Sequence, residues 1–237
     1  MTHTMTNNGI TILSIDTSAD ICTVALSRDG VTFAESRVTT PRSQSSLLVP
    51  ETERLLRDAG LRISDCNAVA VSMGPGSYTG LREEVSTAKG LCFGSGAKLI
   101  GIGTLDLLAV QGLSATPSAD YVVPMMDARR MEVYQAVYGR DGGRISEISP
   151  LILDGSSYSE LLAKGKVTFV GNGCAKFREL ISNGNATFVP CEPEAAAMAP
   201  LAYAKWVSGC FEDVAYAEPF YLKEFSVGVS KKNILDV

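Results

Sequence analysis

A strand-turn-strand pattern occurs twice in this chain of 237 residues, and this repeat restricts the fold more than any other feature does. In the first copy, the largely apolar run 12–16 ends in aspartate and is followed by the Arg-Asp-Gly turn 28–30. In the second copy, the run 122–127 also ends in aspartate and precedes the Arg-Asp-Gly turn 140–142. The separation of the two aspartates differs by only one residue from the separation of the two turns. The pattern therefore predicts a duplicated unit and two lobes of related topology.

The remaining periodic segments predict an α/β fold in each lobe. In the first half, strands are predicted at 10–16, 21–27, 31–38, 68–72 and 98–102, with helices at 45–59, 79–93 and just after Thr104. After a connector at 112–120, strands are predicted at 122–127, 132–138 and 166–170, and helices at 175–181 and 194–208. This arrangement resembles the two-lobed actin-like ATPase (ASKHA) fold, in which duplicated mixed β-sheets are flanked by helices. We predict an N-terminal lobe over 1–112 and a C-terminal lobe over 113–237.

Composition excludes several classes of function. The chain has 21 Lys and Arg against 26 Asp and Glu, a net charge of -5 and no basic block, so tight unaided binding to RNA is not expected. The six cysteines lack metal-ligand spacing, and no apolar run suits a signal peptide or a membrane span; both features are typical of a cytoplasmic protein. The only histidine, His3, lies in a polar N-terminal segment. Catalysis by a Ser–His or Cys–His pair and a histidine-based zinc site are therefore excluded, and no metal site is expected.

A glycine-rich loop, 74–82, follows the apolar strand 68–72 and runs directly into a helix. Such a corner gathers free backbone N–H groups and the positive end of the helix dipole, so Gly74, Gly76 and Ser77 are predicted to form an anion-binding loop. The loop has neither the Gly-Lys-Ser/Thr ending of a Walker motif nor the Gly-x-Ser-x-Gly spacing of a nucleophile elbow. It is therefore shaped for a phosphate or a partner, without the groups for chemistry.

Each aspartate-ended strand leads into a turn that, in actin-like proteins, holds nucleotide phosphates. In the first turn, Asp16-Thr17-Ser18, the hydroxyls can donate to a phosphate and the carboxylate can orient hydrated magnesium, or the three residues simply stabilise the turn. The second turn begins Asp127-Ala128-Arg129 and has no glycine that would let the backbone approach a phosphate. Arg129 and Arg130 are predicted to bind a phosphate or a partner carboxylate, or to lie in a solvated turn. The two turns together indicate a vestigial nucleotide site.

The sequence resembles the TsaB (YeaZ) family over nearly its whole length. The segments that carry the resemblance are 16–18, 45–50, 74–82, 88–90, 124–130, 132–134 and 221–223. The glycine loop with its helix is the most specific of them. The Asp-Ala-Arg-Arg segment 127–130 follows it in the order that the family shows.

The resemblance implies a non-catalytic scaffold or activator subunit of the bacterial complex that forms N6-threonylcarbamoyladenosine in tRNA reading ANN codons. Such a subunit docks on the catalytic TsaD subunit, helps recruit the ATPase TsaE, contacts tRNA only through the complex and forms a homodimer when alone. It binds no cofactor tightly, and ATP or ADP with Mg enters only within the partner complex. The alternatives are an actin-like small-molecule kinase or ATPase and, less favoured, a glycoprotease-type peptidase.

The resemblance also places the docking surface on the two helices of the N-terminal lobe. The predicted interface residues are Leu48, Glu51, Leu55, Leu81, Arg82, Glu84, Val85, Ala88, Lys89 and Cys92. This chain departs from the family here, because Glu83 and Glu84 stand where the family usually has an apolar residue and a glycine. If these carboxylates face a partner helix, burying them costs several kcal/mol unless they are paired.

Overall fold

Two mixed β-sheets form the centre of the protein in the computed structural model, which describes residues 9–39 and 44–222. The first sheet contains β1 (Thr11–Asp16), β2 (Cys22–Arg28), β3 (Val31–Val38), β4 (Ala68–Gly74) and β5 (Lys98–Gly103). The second contains β6 (Tyr121–Asp127), β7 (Glu132–Gln135), β8 (Tyr138–Gly139), β9 (Ser149–Ile152), β10 (Val167–Val170) and β11 (Ala186–Val189).

The two sheets have the same topology. The strand order is β3-β2-β1-β4-β5 in the first and β9-β7-β6-β10-β11 in the second, where β8 pairs with β6 beside this path. Strand β1 pairs antiparallel with β2 and parallel with β4, and β6 pairs antiparallel with β7 and parallel with β10. The predicted duplication and the predicted mixed sheets are confirmed.

Helices cover both faces of the sheets. In the described residues they are α1 (Gln44–Asp58), α2 (Tyr78–Ser95), α3 (Thr104–Ala115), α4 (Ser159–Lys164), α5 (Cys174–Arg178) and α6 (Ala199–Ser208). Strand residues alternate between the two faces, so Leu13 and Val69 pack under α1 and α2 while Ile12 and Ala70 pack on the opposite side with Met198. None of the described helices is long and apolar enough to cross a membrane.

Several predicted elements of the second half are altered in the structure. The predicted connector 112–120 is wrong at its start, because α3 continues to Ala115 and the missing Cβ of Gly112 lets that helix approach Val122 closely. The predicted strand 132–138 is interrupted, since the Val137 N–H donates to Ser146 Oγ at 2.8 Å instead of to a neighbouring strand. Strands β9 and β11 and helix α4 were not predicted, because each is short and carries no clear period.

The last helix packs on the first sheet. A 3₁₀ turn, Ala195–Met198, precedes α6; the turn rests against β1, β2 and β3, and α6 rests against β1, β3 and β5. Met198 and Ala202 are buried in one cluster with Ile12 and Ile100. By its contacts this helix belongs to the first lobe, which departs from the predicted division of the chain at residue 112.

Candidate functional site

The turn after β1 is closed by the chain itself. Residues 16–18 are fully buried, and the Ser77 N–H donates to the Ser18 carbonyl oxygen at 2.7 Å. A Cβ atom on Gly76 would lie 2.6 Å from the same oxygen, so the backbone approach requires glycine there. The loop predicted to bind an anion therefore packs against the first turn.

Asp16 is held by hydroxyl groups inside this turn. It accepts hydrogen bonds from the Ser18 N–H at 3.2 Å, from Ser18 Oγ at 3.1 Å and from Ser72 Oγ. Burial raises the pKa of Asp16 to about 6, although these hydrogen bonds act in the opposite direction. Such contacts fit the turn-stabilising interpretation of Asp16, Thr17 and Ser18 better than the magnesium-binding one.

Glu84 points into the first turn from α2. Its Oε2 accepts the Thr17 N–H at 2.5 Å and lies 3.4 Å from Thr17 Oγ1, while Oε1 has no hydrogen-bond partner among the described residues. Burial raises the pKa of Glu84 well above its usual value, and the charge of Asp16 raises it further. A Cβ on Gly80, one turn earlier, would overlap the Thr17 carbonyl oxygen. In the isolated chain the Glu84 carboxyl is therefore held inside the first turn by the Thr17 N–H, and its role at a partner interface stays a prediction.

The C-terminal segment covers the other end of the glycine loop. The Phe220 N–H donates to the Met73 carbonyl oxygen at 2.6 Å, and a Cβ on Gly74 would lie 2.5 Å from the Phe220 carbonyl oxygen. Beside it the rings of Tyr78 and Tyr221 lie 4.6 Å apart. Gly74 thus lets the backbone of the C-terminal segment approach closely, at a position where the sequence predicts a bound anion.

The turn after β6 is open, in contrast to the first. Arg129 and Arg130 are exposed, and their φ angles are +71° and +52° respectively. Asp127 Oδ1 accepts hydrogen bonds from the Arg129 N–H at 2.5 Å and from Lys176 Nζ at 2.6 Å. The Asp127 carboxylate is thereby committed to its own turn and to α5.

Carboxylates border the cleft between the two turns. Glu192 accepts a hydrogen bond from Asn172 Nδ2 at 2.9 Å, and Asn172 Oδ1 accepts one from the Asp127 N–H at 2.8 Å. Burial raises the pKa of Glu192, and the nearby charges of Asp20 and Asp127 raise it further. The charge of Glu192 in turn contributes to the raised pKa of Asp16. The first turn is thus filled by the Glu84 carboxyl, and carboxylates lie beside the second. Sequence reasoning missed Glu192, which follows a short strand without any motif.

The described residues contain no group of three or more His, Cys, Asp or Glu that could hold a metal ion.

Most residues predicted for the partner interface lie inside the first lobe. Those buried are Leu48, Leu55, Leu81, Val85, Ala88 and Cys92. The apolar stripe of each helix faces the sheet, so in the isolated chain these side chains hold α1 and α2 in place and are not accessible. Whether the two helices bind a partner through other residues stays a prediction.

Three predicted interface residues remain accessible. Glu51 accepts Arg54 Nε at 3.1 Å and Ser36 Oγ at 2.6 Å, and these partners, Arg54 first, lower its pKa. Lys89 Nζ donates to two carbonyl oxygens of the C-terminal segment, those of residues 215 and 217, both at 3.1 Å. The guanidinium of Arg82 lies 5.3 Å from the centre of the Tyr78 ring.

An apolar groove runs between α1 and α2 on their outer side. It has a volume of about 250 Å³, and its walls include Val49, Leu56, Leu61, Ile63, Thr87 and Leu91, with Glu53, Arg57 and Arg62 also lining it. Val49 is 44% exposed, and Phe93, near the end of α2, is 89% exposed. Sequence reasoning missed Val49 and Phe93 because they stand outside the apolar stripes, and that position off the stripe is the signal that could have found them.

Known proteins resemble this chain over most of its length. The family model described as TsaD, tRNA N6-adenosine threonylcarbamoyltransferase, matches residues 38–221. The chain is 33% identical over 219 residues to the tRNA threonylcarbamoyladenosine biosynthesis protein TsaB of Escherichia coli (strain K12), covering 90% of this chain and 94% of the relative. The chain belongs to the TsaB (YeaZ) family.

Solved structures agree with this family and with the fold. YeaZ from Pseudomonas aeruginosa superposes with a TM-score of 0.77 at 27% identity, covering 90% of this chain and 100% of that one. Component A of (R)-2-hydroxyglutaryl-CoA dehydratase from Acidaminococcus fermentans covers 84% of this chain and 99% of its own, with a TM-score of 0.50 at 14% identity. The second likeness concerns the fold alone. The predicted two-lobed actin-like fold is confirmed.

Proposed function

We propose that this protein is a non-catalytic subunit in the synthesis of threonylcarbamoyladenosine in tRNA and docks on a TsaD-family catalytic subunit through the outer faces of α1 and α2. Membership of the TsaB family supports the pathway. The docked pair recruits a TsaE-like ATPase, and the isolated chain dimerises through the same face in the cytoplasm. Because the chain has a net charge of -5, tRNA is bound through the partners.

The observation that carries the docking site is the groove between α1 and α2. Its walls are apolar, and charged side chains such as Glu53 and Arg57 also line it, which is the composition of a protein interface with an apolar centre and a polar rim. Val49 and Phe93 add exposed apolar area on the same two helices. A helix laid in the groove buries Val49 and the other apolar walls without disturbing the stripes that hold α1 and α2 on the sheet.

The two turns support a non-catalytic role. Glu84 takes the Thr17 N–H in the first turn, and the second turn has Arg129 and Arg130 where a glycine would admit a phosphate. We therefore propose that the isolated chain binds no nucleotide and that ATP or ADP with Mg enters only within the complex. The transfer chemistry then belongs to the TsaD-family subunit.

Size-exclusion chromatography with light scattering tests the docking. The chain is mixed with the TsaD-family protein of the same organism, and Val49→Glu is compared with Val207→Glu. Val207 is a matched control, since it is an exposed valine on a helix, α6, away from the groove. We expect a stoichiometric complex for the natural chain and for Val207→Glu, and its loss for Val49→Glu.

Three results would count against the proposal. A natural chain that forms no complex at micromolar concentration removes the docking role, and hydrolysis of ATP by the isolated chain would favour the actin-like kinase or ATPase alternative. If Val49→Glu binds as well as Val207→Glu, the partner docks elsewhere.

A further inference from the structure

The turn between β6 and β7 presents two arginines in an unfavourable backbone conformation. Arg129 and Arg130 both have positive φ angles, 71 and 52, in the left-handed region that residues with a Cβ rarely adopt. Both side chains are exposed, and among residues 9–39 and 44–222 neither guanidinium has a hydrogen bond, an ion pair or an aromatic ring as a partner. The described contacts of these side chains therefore do not offset the strain of the turn.

The turn between β2 and β3 also contains two consecutive residues with positive φ angles, but there the residue types adopt these angles with little strain. There the two residues with positive φ are Asp29 and Gly30, a pair that two-residue hairpins favour. Backbone preference alone would place Asp, Asn or Gly at positions 129 and 130 as well. The backbone of the β6–β7 turn is held by the Asp127 carboxylate, which accepts the Arg129 N–H, and by the Glu132 N–H, which donates to the Arg129 carbonyl oxygen at 3.1 Å. The two guanidinium groups take no part in these bonds, and strained residues of this kind cluster at functional sites.

Exposed apolar side chains adjoin the two arginines. Met131 is 39% exposed and Ile152, on the edge strand β9, is 71% exposed. Their backbones are close, because the Leu153 N–H donates to the Met131 carbonyl oxygen at 2.8 Å. We call Arg129, Arg130, Met131 and Ile152 the Arg–Met patch. Arg and Met are enriched at the centres of protein interfaces.

The charges around the patch favour a protein carboxylate over an RNA backbone. Asp127 lies in the same turn, and Glu192 lies within electrostatic range of Asp127. A row of phosphates would meet these carboxylates as well as the arginines, so its attraction is weakened. A pair of carboxylates on a folded protein meets only the two guanidinium groups, which bind carboxylates in a two-pronged geometry.

We propose that the Arg–Met patch is a second contact with the TsaD-family subunit, where it binds an apolar spot flanked by Asp or Glu side chains; this rests on the docking proposed above. The Asp127 N–H is linked through Asn172 to Glu192, and the charge of Glu192 acts on Asp16 in the first turn. Glu84 of α2 contacts the first turn. A partner lying along α2 can therefore reach the patch across the cleft mouth.

The test is titration calorimetry with the TsaD-family protein at low and at high salt. The natural chain is compared with Arg129→Asn/Arg130→Gly, which suits the backbone of the turn but removes both guanidinium groups. Arg140→Asn/Arg178→Asn is the matched control, because it removes the same charge from exposed sites elsewhere on the second lobe. We expect the turn variant to bind about tenfold more weakly or worse, with a flatter salt dependence, while the control binds like the natural chain.

Each other outcome is decisive. If the natural chain and the turn variant bind equally, the patch is not a contact, and the docking through α1 and α2 still stands. If the natural chain does not bind, both proposals fall. If the turn variant melts at a lower temperature than the natural chain, the arginines stabilise the turn and the inference is overturned. If the control weakens binding as much as the turn variant does, overall charge is responsible and the patch is again excluded.

Discussion

The two lobes use equivalent turns in opposite ways. The turn after β1 is buried under the glycine loop, and Glu84 takes the Thr17 N–H. The turn after β6 is exposed and presents Arg129 and Arg130 in a left-handed conformation. Since the sheets beneath them have the same strand order, topology does not cause the difference. The side chains and glycines brought to each turn decide whether it is filled from within or left open to a partner.

The largest expected effect is at the closed turn. Gly80→Ala introduces a Cβ that overlaps the Thr17 carbonyl oxygen, so α2 must move away from β1. We expect the free energy of unfolding to fall by about 3 kcal/mol or more. Urea denaturation followed by circular dichroism measures this loss.

Gly90→Ala is the matched control for that substitution. Gly90 lies in the same helix, and a Cβ there has no atom within 4 Å. We expect this variant to gain about 0.5–1 kcal/mol, because alanine favours the helix over glycine. Equal effects of the two substitutions would show that the close approach of α2 to the first turn is not what stabilises the lobe.

A smaller effect is expected from the charge of Glu84. A carboxyl whose pKa is raised in the folded state keeps a proton that the unfolded chain has released, so its contribution makes stability fall as pH rises through the interval between the two pKa values. In Glu84→Gln this contribution is absent, whereas that of Asp16, with a pKa of about 6, remains. As pH rises above the ordinary pKa of a glutamate, we therefore expect the variant to gain stability relative to the natural chain.

Chemical denaturation at a series of pH values above that pKa measures the shift. Glu53→Gln, at an exposed position on α1, is the control and should follow the natural chain. Parallel curves for the natural chain and Glu84→Gln would mean that Glu84 ionises as easily in the folded protein as in the unfolded chain.

The smallest expected effect is at the open turn. Arg129→Asn/Arg130→Gly relieves two left-handed residues, and we expect the free energy of unfolding to rise by about 1 kcal/mol after the greater freedom of glycine in the unfolded chain is subtracted. Thermal unfolding measures it. A loss of stability would remove the contrast between the two turns, since both would then be held by their side chains.

The sequence predicted the architecture well because the repeat and the apolar periods are properties of single segments. Strand β3 was predicted at its observed bounds, and α1 and α2 were displaced by only one or two residues at their ends. Short elements such as β9 and α4 were missed, because four to six residues do not establish a period.

The site was harder to predict, since it depends on which face of a helix meets the sheet. Leu55 and Val85 were recognised as a helical stripe, but a stripe marks core and interface alike, and here it marks the core. Glu84 was predicted at the partner interface because the resemblance assigns docking to the helix that carries it. Its contact with Thr17 joins residues 67 positions apart, and no local pattern announces such a pair.

The most direct measurement is transfer of the threonylcarbamoyl group from threonylcarbamoyl-adenylate to tRNA by the TsaD-family subunit, with and without this protein. A docking subunit without chemistry of its own predicts no product from this protein alone, product when both proteins are present, and its loss with Val49→Glu but not with Val207→Glu. Equal product from the TsaD-family subunit alone, or product from this protein alone, would contradict that function.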